Sequence, residues 1–187
     1  MNLQKDLLTA NPFSRPGKKL DKAKALAIHW TANAGSTAKQ NRNYFESLKT
    51  QSDPYDLQAR YGSAHFVIGI DGEVVQCIPC EEIAYHAGAK TYTPEALGRL
   101  GHYPNNCTIG IELCHPDADG RFSAETLQAA AELCALLCMQ FGLDPQRDIW
   151  THHGITGKNC PKRFVDYPEE FEGFKQGVSA AMGKLKG

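Results

Sequence analysis

The sequence predicts an α/β fold, a single domain whose central mixed β-sheet of about five or six strands is flanked by helices. Three observations carry this expectation. The length of 187 residues suits one domain with one core. Compact apolar runs of strand length occur at 24–30, 63–70, 73–78, 107–114 and 148–153. Segments of helical period alternate with them, which argues for a sheet covered by helices.

Residues 1–22 are polar, with Pro12, Pro16 and Gly17 as breakers, and read as an irregular lead-in packed on a domain spanning 23–187. KALAIHW (24–30) has the pattern of a buried strand ending in histidine. Ser36 or Thr37 is a candidate cap for a helix reaching about Thr50, with Phe45 and Leu48 on its inner side. SAHFVIGI and EVVQCI, separated by Asp71-Gly72, read as two strands joined by a tight turn. Residues 86–106 hold three glycines and two prolines without a clear period, so they read as a long loop of the kind that often carries function. CTIGIELC (107–114) is another buried strand. Ser123 caps a helix whose apolar stripe runs through 127, 130, 131, 134, 137, 138 and 141 and stops at Gly142. DIWTHH (148–153) is a short strand. Pro168 opens a last amphipathic helix with Phe171, Phe174, Val178, Ala181 and Leu185 on one face.

Composition narrows the function. The net charge of −1 gives no bulk attraction for nucleic acid or an anionic membrane, so any binding is local. Seven cysteines without a secreted-scaffold spacing, and an N-terminus lacking an apolar core of signal-peptide length, imply synthesis in a reducing cytoplasm and free thiols. The apolar stretch LQAAAELCALLCMQFG carries Glu132 and reads as a helix of the domain, not a membrane span. Cys77 and Cys80 form a C-x-x-C without the second pair a structural zinc site needs, and read as structural thiols; Cys134 and Cys138 fall on the apolar stripe.

The chemistry concentrates in THHGITGKNCPKR (151–163). Neutral imidazole and thiolate are good zinc ligands, and a hydrolytic zinc needs three protein ligands with one open position. Cys160 and either His152 or His153 supply two. His29, at the end of a buried strand, is a candidate for the third, with a hydrogen-bonded rim histidine as the competing reading. Lys158 is placed to stabilise an oxyanion, and reads otherwise as a solvated loop lysine. Glu112 is a carboxylate inside an apolar strand, a costly placement unless it is paired or used, as it would be by a general base.

Five blocks, IHWTAN (28–33), SAHFVIGIDG (63–72), AYHAG (84–88), TIGIELC (108–114) and HHGITGKNCP (152–161), occur in this order. Together they resemble the zinc-dependent N-acetylmuramoyl-L-alanine amidases of the type-2 class, whose fold is shared with peptidoglycan-recognition proteins; the nearest type is the prophage endolysin or autolysin of Gram-positive bacteria. The resemblance runs from about residue 24 to about 165. It implies one catalytic zinc in a surface groove, held by His29, His152 and Cys160, with Lys158 stabilising the transition state and Glu112 as base. It implies His86 and Gly88 as groove residues near substrate, with His65 either lining the groove or serving as a buried structural histidine. Some phage members place a catalytic tyrosine where this chain has Ala64, so the glutamate-assisted variant is expected here. His153 is expected to orient the site or pack beneath it, and Arg99 and His102 to lie in a solvated loop. The implied substrate is peptidoglycan, cut between the lactyl group of N-acetylmuramic acid and L-alanine of the stem peptide. The expected enzyme is a monomer acting at the cell wall after phage-type release. Two rivals are a cytosolic muropeptide-recycling amidase, in which aspartate usually replaces the cysteine ligand, and a non-catalytic peptidoglycan-binding module, which usually lacks that cysteine.

Overall fold

The structure, a computed structural model, describes residues 2–186. In chain order its elements are β1 (Asn2–Lys5), β2 (Ala25–Trp30), α1 (Ala38–Ser47), β3 (Phe66–Ile68), β4 (Glu73–Gln76), α2 (Pro94–Leu100), β5 (Thr108–Leu113), α3 (Ala124–Phe141), α4 (Pro145–Asp148), β6 (Ile149–Thr151), α5 (His152–Thr156), α6 (Lys162–Asp166) and α7 (Pro168–Lys186). Six strands form one mixed sheet in the order β1-β4-β3-β5-β2-β6. Only the β3–β4 pair is antiparallel. It is joined through the tight turn expected at Asp71-Gly72, where the Gly69 amide donates to the Glu73 carbonyl at 2.8 Å.

Strand alternation sorts the side chains into two layers. Leu26 and Ile28 of β2 and Ile109, Ile111 and Leu113 of β5 pack against α3 and α7, including Leu133, Cys134, Leu137, Phe174 and Val178. The opposite face carries small residues at its centre, Ala25 and Ala27, beneath Leu100, Cys107, Trp150 and Ile155. Further along that layer, Val67 and Val75 meet Leu8, Ala38, Cys77, Ile78 and Cys114. All seven cysteines are free thiols, and burial pushes those of Cys77 and Cys80 up to about 12, as structural thiols require. Among the described residues, no helix is long and apolar enough to cross a membrane.

The caps follow the sequence closely. Thr37 closes a capping box with Gln40, and Ser123 accepts from the Thr126 amide. Three expectations need correction. Residues 2–5 are not irregular: they pair in parallel with β4 as an exposed edge strand, held by backbone bonds that leave no apolar alternation to read. The segment 86–106 is not a structureless loop. Thr93 caps α2, with Pro94 at its first position, a start signal masked by the surrounding glycines. Leu185 does not join the inner face of α7 and is half exposed.

Candidate metal centre

The site forms at the C-terminal ends of the parallel strands β2, β5 and β6. His29 is the fifth residue of β2 and shares the alternation face of Ala25 and Ala27. Its register partner on β5 is Glu112, so the two side chains project from the same face of the sheet. β6 ends at Thr151, whose hydroxyl caps α5 by accepting from the Gly154 amide at 3.0 Å. α5 lasts five residues and closes at Gly157, which adopts φ 78°, a left-handed conformation that favours glycine. The chain then folds back. The His153 amide donates to the Cys160 carbonyl at 2.8 Å, and the Cys160 amide donates to the Lys158 carbonyl at 2.8 Å. This return brings Cys160 beside His152.

One donor atom from each of His29, His152 and Cys160 lies within 4.8 Å of the others. His29 Nδ1 is 3.8 Å from Cys160 Sγ, and the two imidazole centroids are 4.5 Å apart. Donors of one tetrahedral zinc lie about 3.3–3.6 Å apart, so small side-chain rotations suffice to gather this set. His152 Nε2 is buried without a hydrogen-bond partner, an arrangement that costs free energy unless something fills the position. Two imidazoles and a thiol with such an orphaned nitrogen fit a zinc ion. Burial, then His152, His86 and Lys158, push the His29 pKa well below its usual value; burial and then Lys158 push that of His152 down to about 4. Both rings are therefore neutral, with lone pairs available. Burial and then Glu112 push the Cys160 thiol upward, an effect that a bound cation would reverse.

Glu112 is the other unpartnered group. Its Oε2 is buried without a hydrogen bond, and burial pushes its pKa up to about 8. Lys158 donates its ammonium to the Gly88 carbonyl at 3.0 Å. Lys158 and Gly88 border a groove of about 380 Å³, lined also by Tyr61, Tyr85, His86, Tyr103 and Asn105. A larger cleft of about 830 Å³ between α3 and α7 lies on the other face of the sheet and is lined by no histidine or cysteine among the described residues.

A family model described as N-acetylmuramoyl-L-alanine amidase matches residues 19–163. The chain belongs to this amidase family. It is similar to the N-acetylmuramoyl-L-alanine amidase BlyA of Bacillus subtilis (strain 168), with 34% identity over 181 residues, 94% of this chain and 46% of that protein. It is likewise similar to CwlL of Bacillus licheniformis, an amidase of the same name, with 32% identity over 179 residues, 96% of this chain and 47% of that protein. The chain thus spans about half the length of the curated relatives it matches. Among solved structures, the catalytic domain of XlyA superimposes with a TM-score of 0.69 at 26% identity, covering 95% of this chain and 99% of that one.

Against this amidase framework, most residues singled out in the sequence converge, and two, His153 and Arg99, sit differently. Of the two readings of His65, the structural histidine holds, and it does not face the groove. It is fully buried, its Nε2 bonded to the Glu82 carbonyl at 2.9 Å and its Nδ1 accepting from the Gly110 amide at 3.0 Å. His153 does not pack beneath the site: its side chain is exposed, and only its amide serves the Cys160 turn. Arg99 is not in a solvated loop. It belongs to α2, pairs with Asp148 at 2.7 Å and lies over the Trp150 ring. His86 borders the groove, but its ring is nearly buried and its Nδ1 lies 3.0 Å from His29 Nε2. The groove residues that sequence reasoning passed over, Tyr61, Tyr85, Tyr103 and Asn105, come from segments without periodicity, where residue type alone gives no direction for a side chain.

Proposed function

We propose that this chain is a zinc-dependent peptidoglycan amidase that hydrolyses the amide between the lactyl group of N-acetylmuramic acid and L-alanine of the stem peptide. The observation that carries the reading is the convergence of His29, His152 and Cys160 from three distant segments, with Glu112 in register on the neighbouring strand. His29, His152 and Cys160 would hold the ion. When bound there, zinc supplies Lewis-acid chemistry, polarising a carbonyl and lowering the pKa of water toward ~7.

The rest falls to the chain. Glu112, in its ionised form, accepts a proton from the attacking water at its carboxylate. Lys158, at the groove rim, brings a mobile ammonium to the oxyanion that develops on the substrate carbonyl. Glu112 then returns the proton to the departing amine of alanine. The groove beside Lys158 receives the polymer on either side of the scissile amide. Action at the cell wall, peptidoglycan as the partner and a monomeric state belong to this same proposal.

Mass spectrometry of digested peptidoglycan tests it. Free lactyl ends on muramic acid together with new alanine amino termini are the expected products. Cleavage at glycosidic bonds, or between amino acids of the stem, would overturn the assignment. Running intact sacculi beside soluble muropeptides separates wall lysis from recycling: this reading expects turnover of sacculi.

A further inference from the structure

His86 is held from four directions. The Asn105 carboxamide oxygen accepts from the amides of His86 at 3.3 Å and Ala87 at 2.9 Å, fixing the backbone beneath the ring. The ring lies flat over β5 at Gly110, where an added Cβ would come within 2.4 Å of its Cγ, so only glycine leaves room. His86 Nε2 faces Thr108, 3.3 Å from its carbonyl oxygen and 3.1 Å from its hydroxyl. His86 Nδ1 faces His29 Nε2 at 3.0 Å.

This arrangement has one consistent polarity. A carbonyl oxygen only accepts, and the Thr108 hydroxyl commits its own proton to the Pro104 carbonyl at 2.8 Å. His86 Nε2 must therefore carry the proton and donate. In a neutral ring that leaves Nδ1 bare, able only to accept from His29 Nε2–H. A neutral His29 protonated at Nε2 has its free lone pair on Nδ1, the atom that faces Cys160 Sγ.

We infer that His86 is a positioning residue: the directed series Pro104–Thr108–His86–His29 sets the tautomer and ring orientation in which His29 offers Nδ1 to the metal. The inference rests on the metal reading given above. Ligand histidines are generally oriented by an acceptor at the second ring nitrogen, and loss of that acceptor typically weakens metal affinity about 10–100-fold. Here the acceptor is a second histidine whose own acceptor capacity is created by Thr108.

The test combines zinc affinity, by competition with a chelator, and ¹⁵N NMR of the histidine rings in the full zinc-loaded chain. In the unaltered protein we expect one zinc per chain, with His29 and His86 both protonated at Nε2. His86→Leu should weaken zinc binding about 10–100-fold. His86→Asn, which restores an acceptor near the Nδ1 position, should recover most of that loss. Gly110→Ala should weaken binding by pushing the ring off its seat. A His86 protonated at Nδ1 in the zinc-loaded protein overturns the inference without any variant. So does wild-type affinity in a folded His86→Leu, or a His86→Asn no better than His86→Leu. Failure of the unaltered chain to bind zinc would instead overturn the metal reading on which the inference stands.

Discussion

At the scale of single residues, the site is a set of polar groups whose positions are costly without a ligand. Glu112 and His152 each bury an unpartnered acceptor or donor atom, at a cost of roughly 1–3 kcal/mol apiece. Glu112→Gln keeps the shape and removes the proposed base. It should retain stoichiometric zinc while lowering kcat about 10²–10⁴-fold on purified cell wall; a variant with full activity would remove Glu112 from the mechanism. Lys158→Ala should lower kcat about 10²–10³-fold with little change in zinc content, read by the same assay with metal analysis. The residue types of this site were legible in the sequence because an imidazole and a carboxylate in apolar strands, with histidine, lysine and cysteine gathered in one short segment, have few cheap explanations. Alternation along a short strand could not choose His152 over His153, since it places one of the two inward without saying which; the choice came from the family resemblance. The structure shows the reason: β6 stops at Thr151, and α5 turns His153 out to solvent. His86 was legible only as a neighbour of the groove. Its contact with His29 spans 57 residues, and no local pattern encodes such a pairing.

At the scale of elements, short capped pieces aim the candidate ligands. α5 is too short to persist alone and depends on its Thr151 cap, its Gly157 close and its contacts with α2, where the Thr93 hydroxyl donates to the Gly154 carbonyl at 2.7 Å. Thr151→Ala should lower stability by about 1 kcal/mol and weaken zinc binding as well, because the cap fixes the residue that precedes His152; denaturant unfolding and chelator competition read the two effects separately. The lead-in is tied to α1 through Glu46, which accepts from the Thr9 amide at 3.0 Å and the Thr9 hydroxyl at 2.6 Å and pairs with Lys49 and Arg42. Burial alone would push the Glu46 pKa up, but the bonds from Lys49 and Thr9 outweigh it and bring it down to about 2. A depressed carboxylate pKa contributes stability above the unfolded value of 4.5, and that contribution is lost as pH falls toward about 2. Glu46→Gln should therefore be less stable than the parent at pH 7 by about 1–2 kcal/mol, with the gap closing toward pH 2 in chemical denaturation. The capped helices α1 and α3 were readable to within about three residues. β1 was not, because an edge strand needs only backbone partners.

At the scale of the whole molecule, the sheet explains why three candidate ligands from residues 29, 152 and 160 meet. Parallel β2 and β6 end side by side, β5 flanks β2 on its other edge, and a groove outside the carboxyl ends of such strands is where open α/β sheets place their ligands. The fold class followed from alternating strands and helices, whereas the strand order β1-β4-β3-β5-β2-β6 depends on long-range pairing that the sequence does not display. A metal that binds only the folded chain must stabilise it. With free zinc at about 100 times Kd the gain is about 2.7 kcal/mol, equivalent to roughly 5–10 °C in Tm for a chain of this size. A chelator should therefore lower Tm by that amount, and Cys160→Ser should abolish most of the difference.

X-ray absorption at the zinc edge of the purified, zinc-loaded chain addresses the centre itself. One sulfur at about 2.3 Å and two imidazole nitrogens at about 2.0–2.1 Å are expected, with the sulfur shell gone in Cys160→Ser. A spectrum of the parent protein without sulfur scattering, or one unchanged by Cys160→Ser, would contradict the convergence of His29, His152 and Cys160 on one ion.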